Sequence, residues 1–121
     1  MNVWVWIGVA LLSGLAAIGR FLLISLISSR GTRTFPLGTF AVNTTGALLL
    51  GLLTGLAVEG DALVLLGAAT LGSYTTFSTW MLESQRLTEE GQIPVAAINI
   101  LLSLAVGVGA VALGRLLGTH I

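Results

Sequence analysis

The sequence predicts an all-α integral membrane protein with four transmembrane helices in each subunit, and three observations carry that prediction. Of its 121 residues, 55% are hydrophobic and only 8% are charged, where ordinary soluble chains carry about a quarter charged residues. The charges fall at intervals of membrane dimensions. The segments between those intervals are short, so residues 1–121 read as a single four-helix transmembrane domain.

The first span lies near 3–26, in a stretch with no charged side chain before Arg20. Met1 to Ile7 lacks a basic stretch and no small-residue cleavage site follows, so this segment is expected to remain as a span rather than act as a secretory leader. The second lies near 37–58, between Arg33 and Glu59, and Pro36 suits the first turn of its helix. Glu59-Gly60-Asp61 is a tight acidic loop, and the third span follows near 62–86. The fourth lies near 93–117, after the connection Thr88 to Pro94. Crossing the hydrocarbon core takes roughly 20 apolar residues. Every backbone N–H and C=O in lipid must be satisfied within its own segment, which makes such runs helical.

Four spans put both termini on one side of the membrane. The side with the first and third connections carries Arg30, Arg33 and Arg86, with Arg20 nearby, and the other side carries Arg115. That bias favours a cytoplasmic Arg-rich side. Gly51-x-x-x-Gly55 and Gly114-x-x-x-Gly118 are small-residue faces suited to close helix approach, either within a subunit or between subunits. Size and small-residue content favour an oligomer, for which a dimer is the commonest closed arrangement.

Composition excludes several functions. Formal net charge is zero, which removes the electrostatic case for nucleic-acid binding. Cysteine is absent, so disulfides and thiolate metal sites are too. The single histidine, His120, has no second ligand near it in sequence, and no zinc or haem site is expected. No acidic residue precedes Glu59 and none lies centrally in a span, whereas proton-coupled exporters of cations usually carry a membrane carboxylate. There is no nucleophile–base pair and no phosphate loop, so the chain is not expected to be an enzyme.

Polar side chains inside the spans are costly and therefore informative. Thr39 and Asn43 lie one turn apart on one face of helix two. Asn43 offers two readings, as an amide donor to a desolvated anion or as interhelical hydrogen bonding. Helix three carries six hydroxyl residues in the seven positions 73–79. Such residues either bond back to their own helix, leaving it continuous, or accompany a break that begins near Gly72 and exposes carbonyls.

Phe77 and Trp80 share a face, either as plain packing or as positive ring edges beside an anion path. On helix four, Asn99, Ser103 and Gly107 form a stripe that lines a pore or docks another helix. Glu83 reads as an interfacial charge or a vestibule carboxylate. Arg20 reads as a snorkelling residue that complements a helix end or as part of a positive vestibule. Residues alone stop there, at a small four-span membrane protein, oligomeric by its size and small faces.

Two longer motifs go further. Gly38-Thr-Phe-Ala-Val-Asn43 in helix two and Gly72-Ser-Tyr-Thr-Thr-Phe-Ser-Thr-Trp80 in helix three resemble the Fluc/CrcB family of fluoride channels, whose hallmarks are a G-T-x-x-x-N stretch and a G-x-x-T-T-F-S-T-F stretch. The resemblance covers the whole chain in length and span number. It implies a passive fluoride-selective channel in the cell (plasma or inner) membrane, exporting fluoride to relieve its toxicity. It also implies an antiparallel dual-topology homodimer with two pores and helix three broken near its middle.

By the same resemblance Asn43 faces the pore as an anion donor, and Phe77 and Trp80 hold the positions of two pore phenylalanines. Ser78, Thr79 and Ser103 add hydroxyls to the polar path, while Arg20 and Glu83 belong to the vestibules. Carbonyls of Gly72 and Thr75 from both subunits hold a structural sodium ion at the dimer centre. Two departures stand out. Trp80 replaces the usual Phe, adding an N–H donor and bulk, and Gly107 stands where a further hydroxyl is expected.

Overall fold

The computed structural model describes residues 1–30 and 34–121. Gly31 to Arg33, in the first connection, lie outside the described residues, and α1 runs four residues past the expected end of the first span at 26. Among the described residues every element is a helix: α1 (Val3–Arg30), α2 (Leu37–Gly55), α3 (residues 60–74), α4 (Phe77–Glu89) and α5 (Ile93–His120). Three of these, α1, α2 and α5, are long and apolar enough to cross a membrane. The third expected span is present as the broken pair α3–α4.

Local chemistry sets the helix limits. The Asn2 side chain accepts from the Val5 N–H at 3.0 Å and caps α1. Pro36 stands just before α2 rather than in its first turn. That helix stops at Gly55, three residues short of the expected 58. Ala57 adopts φ 57°, its N–H donates to Thr54 O and that of Val58 to Leu53 O, both at 3.1 Å. This crossed pair of bonds closes a helix with a left-handed residue. The same closure ends α4, with Gly91 at φ 77° and the Gln92 N–H on Leu87 O at 2.7 Å.

The glycine faces read from sequence meet each other inside one subunit. A β-carbon on Gly51 would collide with Val111 O, one on Gly55 with Arg115 O, and one on Gly114 with Leu48 O. The backbones of α2 and α5 therefore touch directly, which only glycine permits. Gly114→Ala is expected to force the pair apart and cost about 1–3 kcal/mol, the usual penalty for overfilling a packed interior. Gly14→Ala, where nothing lies within 4 Å, is expected to be neutral or slightly stabilising. Thermal unfolding of the two variants in detergent, followed by size exclusion, checks the contrast.

Little of the molecule is buried from its surroundings. Trp4, Leu11, Leu15, Phe21, Leu101 and Val108 are each at least 63% exposed. Contiguous apolar surface on this scale is untenable in water and ordinary in lipid. The chain is a multi-pass membrane protein. Its interior positions polar groups: the most buried side chains are Val42, Asn99 and Thr39.

Candidate functional site

The break between α3 and α4 organises the polar interior. Residues 64–71 of α3 wind as a wider π-helix, and Thr70 Oγ1 reaches back to Leu65 O at 2.7 Å. Thr75 and Thr76 then leave helical geometry for extended backbone, at φ −82°, ψ 161° and φ −145°, ψ 120°. A helix interrupted in lipid must have its freed backbone groups satisfied by neighbours. Here each side of the break has its own.

On the α3 side the satisfying group is Arg20. Its Nη1 donates to Ser73 O at 3.0 Å and to Thr75 O at 3.3 Å. A cation at the carbonyl end of a helix also complements its dipole. On the α4 side the group is Asn43, which pairs with Thr76 in both directions. The Thr76 N–H donates to Asn43 Oδ1 at 2.8 Å, and Asn43 Nδ2 donates to Thr76 O at 2.9 Å. This reciprocal bond fixes which amide atom is oxygen. It also commits only one of the two Nδ2 hydrogens.

Thr76 restarts the helix. Its Oγ1 accepts from the Thr79 N–H at 3.2 Å, as an N-cap hydroxyl does, and Thr76 is buried at 7% exposure. Thr76 Oγ1 also donates to Thr79 Oγ1 at 3.1 Å and lies 3.4 Å from Ser78 Oγ. The positive end of the α4 dipole thus emerges beside Asn43, Ser78 and Thr79. Such an end is favourable ground for an anion.

A cleft of about 420 Å³ opens along this region. Asn43, Gly72, Thr75, Phe77, Trp80 and Ser103 all line it, among apolar residues of α2, α3 and α5, and no lining side chain carries a charge. Phe77 is 70% exposed. Its ring meets Trp80 edge to face, with centroids 5.7 Å apart and planes at 85°. Gly107 also lines the cleft, without the hydroxyl expected there.

The remaining sequence candidates, Ser78, Thr79, Arg20 and Glu83, are not among the residues that line the cleft. Arg20 lies behind the break. Glu83 accepts a short hydrogen bond from the buried Thr39 hydroxyl and faces a second, polar cavity of about 380 Å³ shared with Thr34, Arg86 and Glu90. One face of α2 therefore serves α4 twice, through Thr39 and through Asn43. Among the described residues no buried side-chain nitrogen or oxygen lacks a partner.

Sequence reasoning missed Thr76 as the hub of the break. A Thr three residues before another hydroxyl residue, at the end of an uncapped helix, is the available signal. It also missed Ser84, buried one turn beyond Trp80, whose Oγ donates to Trp80 O at 2.9 Å.

Comparison with known proteins places this geometry among relatives. Residues 7–115 match the family model described as CrcB-like protein, Camphor Resistance (CrcB). The chain is 50% identical over 115 residues to Fluoride-specific ion channel FluC 2 of Mycobacterium bovis, covering 95% of this chain and 91% of that one. The same figures hold for the protein of that name in Mycobacterium tuberculosis. Fluoride-specific ion channel FluC 1 of Symbiobacterium thermophilum is 47% identical over 121 residues, with 95% and 96% coverage.

Proposed function

The chain belongs to the CrcB-like family, and from that premise we propose that it is a passive fluoride-selective channel that lets fluoride leave the cytoplasm. One observation carries the reading. Thr76 at the start of α4, Asn43 and the edge-to-face pair Phe77–Trp80 all line one cleft, and no residue that lines it is charged. A conducting site must replace an ion's water shell without trapping the ion. Neutral donors meet both conditions.

Asn43 contributes its second Nδ2 hydrogen to the path, Phe77 and Trp80 their ring edges, and Ser78, Thr79 and Ser103 hydroxyls. Glu83 belongs to a vestibule at the polar cavity, and Arg20 adds positive potential from beneath the break. No energy source is needed. A potential of 100 mV, negative inside, favours exit of a monovalent anion by about 2.3 kcal/mol.

The proposed assembly is an antiparallel homodimer with two pores. The exposure of Phe77 and the opening of Thr75 and Gly72 onto the cleft support it, because polar backbone at membrane depth is tolerated only when protein or water covers it. A second copy supplies that cover. The carbonyls of Gly72 and Thr75 suit sodium in kind, being neutral oxygens at a half-helix C-terminus. Thr75 O already accepts from the Arg20 guanidinium; its second lone pair is open to sodium, against the repulsion of that nearby cation. In the proposed dimer these oxygens from both subunits hold a structural sodium ion, which supplies a fixed positive centre that ties the two breaks together.

Fluoride efflux from liposomes, followed with a fluoride electrode while a potassium ionophore clamps charge, tests the function. Fast fluoride release with little chloride release is expected, from a particle of twice the 12.5 kDa chain mass. Replacing sodium by N-methylglucamine on both faces is expected to slow release or dissociate the dimer. Liposomes that stay tight around folded, inserted protein would refute the channel and favour a non-conducting scaffold. Fluoride release accompanied by proton counterflow would instead favour a coupled exporter.

A further inference from the structure

The indole N–H of Trp80 is not directed at the cleft. It donates to the backbone carbonyl of Asn99 on α5 at 3.2 Å. The Asn99 side-chain Nδ2 donates to Ser84 Oγ at 2.8 Å, and Ser84 Oγ donates to the backbone carbonyl of Trp80 at 2.9 Å. Ser103 Oγ, on the cleft wall, reaches Asn99 Oδ1 at 3.4 Å. The three bonds among Trp80, Ser84 and Asn99 close a ring that joins α4 to α5. Two of its members are buried, Ser84 at 4% and Asn99 at 1% exposure, while Trp80 is half-buried and lines the cleft.

We propose that Ser84 and Asn99 are positioning residues that lock the Trp80 indole in one orientation and thereby set the discrimination of the pore between fluoride and larger halides. The inference rests on the reading of the cleft as a fluoride path. Its physical basis is specific to tryptophan. A phenyl ring at position 80 offers no N–H, so only packing restrains its rotation about χ2. An indole held at Nε1 cannot turn without breaking a bond made where water is scarce, and an unmade bond there is costly. The held ring presents an invariant surface to Phe77, with the planes at 85°. A gap lined by rings of fixed pose has a fixed width, which passes the smallest halide and resists a larger one.

Ser84 is the useful handle because it is not itself among the residues that line the cleft and reaches it only through Trp80. Ser84→Ala leaves the buried Asn99 amide without its acceptor and loosens the α4–α5 crossing that holds the Asn99 backbone carbonyl against the indole. The measurement pairs two readouts in a Trp4→Phe/Trp6→Phe parent, where Trp80 is the sole indole: fluorescence anisotropy of Trp80, and the fluoride-to-chloride release ratio from liposomes.

Ser84→Ala is expected to lower the anisotropy and to reduce the ratio about fivefold, the equivalent of one hydrogen bond of about 1 kcal/mol. Ser84→Thr, which keeps the hydroxyl, is expected to restore both. In a Trp80→Phe background Ser84→Ala is expected to leave the ratio where Trp80→Phe alone put it. An equal fall of the ratio in both backgrounds means that Ser84 merely supports the fold, and overturns the proposal. So does an unchanged anisotropy and ratio in folded Ser84→Ala protein.

Proton exchange of the Trp80 indole, followed by NMR in the parent itself, gives a check that needs no Ser84 variant. Slow exchange is expected, and exchange as fast as that of a water-exposed indole overturns the clamp. Parent liposomes that release no fluoride would overturn the channel reading and the selectivity role built on it, while anisotropy and exchange still decide whether the indole is clamped.

Discussion

Phe77→Ile is expected to reduce fluoride flux about thirtyfold or more while the protein folds, inserts and assembles. The substitution keeps an apolar side chain of similar bulk and removes the aromatic edge. Phe77 is 70% exposed in the single chain, so little subunit packing depends on its ring. What disappears is the positive rim of the quadrupole at the mouth of the α4 dipole. Taking the scale of the opposite arrangement, a desolvated cation over a ring face at about 2 kcal/mol, and about tenfold in rate for each 1.36 kcal/mol, sets the thirtyfold figure. Phe77→Tyr keeps the edge and is expected to retain most of the flux. Efflux from liposomes carrying equal amounts of inserted protein decides between them. An Ile variant that conducts as well as its parent would remove the ring edge from the permeation mechanism.

The legible and illegible parts of this protein divide along physical lines. Span number and the short connections follow from charge spacing alone, because lipid leaves a long uncharged run no alternative to a helix. The run of hydroxyls at 73–79 marked the region of the break but left a continuous helix equally open. What decides it is a partner on another helix: Asn43, 33 residues away, pairs both backbone groups of Thr76. No periodicity on helix three encodes that contact.

Arg20 shows the same limit. Its position near the end of a span invites a snorkelling or vestibule reading, whereas its guanidinium turns onto the carbonyls of Ser73 and Thr75, more than 50 residues along the chain. The glycine pairs were half legible. Their spacing announces close approach, but whether that approach lies within or between subunits depends on α2 and α5 being neighbours, which four similar apolar spans do not reveal. The Trp80 clamp was hidden for a different reason. Ser84 and Asn99 look like ordinary helix polars until the crossing of α4 and α5 brings them within 2.8 Å.

Asn43→Ala is expected to abolish most conduction and to destabilise the fold together, and the pairing of effects is the informative part. The amide carries two duties in this structure. It holds the extended peptide of Thr76 through two hydrogen bonds, and its remaining hydrogen is the proposed donor to the ion. Alanine leaves a buried N–H and a buried C=O unpaired at membrane depth, at about 1–3 kcal/mol each. A lower unfolding temperature is therefore expected beside the lost flux.

Asn43→Asp separates the duties. The carboxylate still accepts from the Thr76 N–H, half of a clasp of which alanine keeps nothing, but its other oxygen meets the Thr76 carbonyl, it donates nothing and it places a like charge in the anion's path. Its flux is expected to fall at least as far as that of Asn43→Ala with a smaller loss of stability. If the aspartate variant conducts normally, Asn43 is a strut for the break and the ion takes its donors from elsewhere. If both variants lose flux while only alanine loses much stability, the polar hydrogen at position 43 belongs to the conduction path itself.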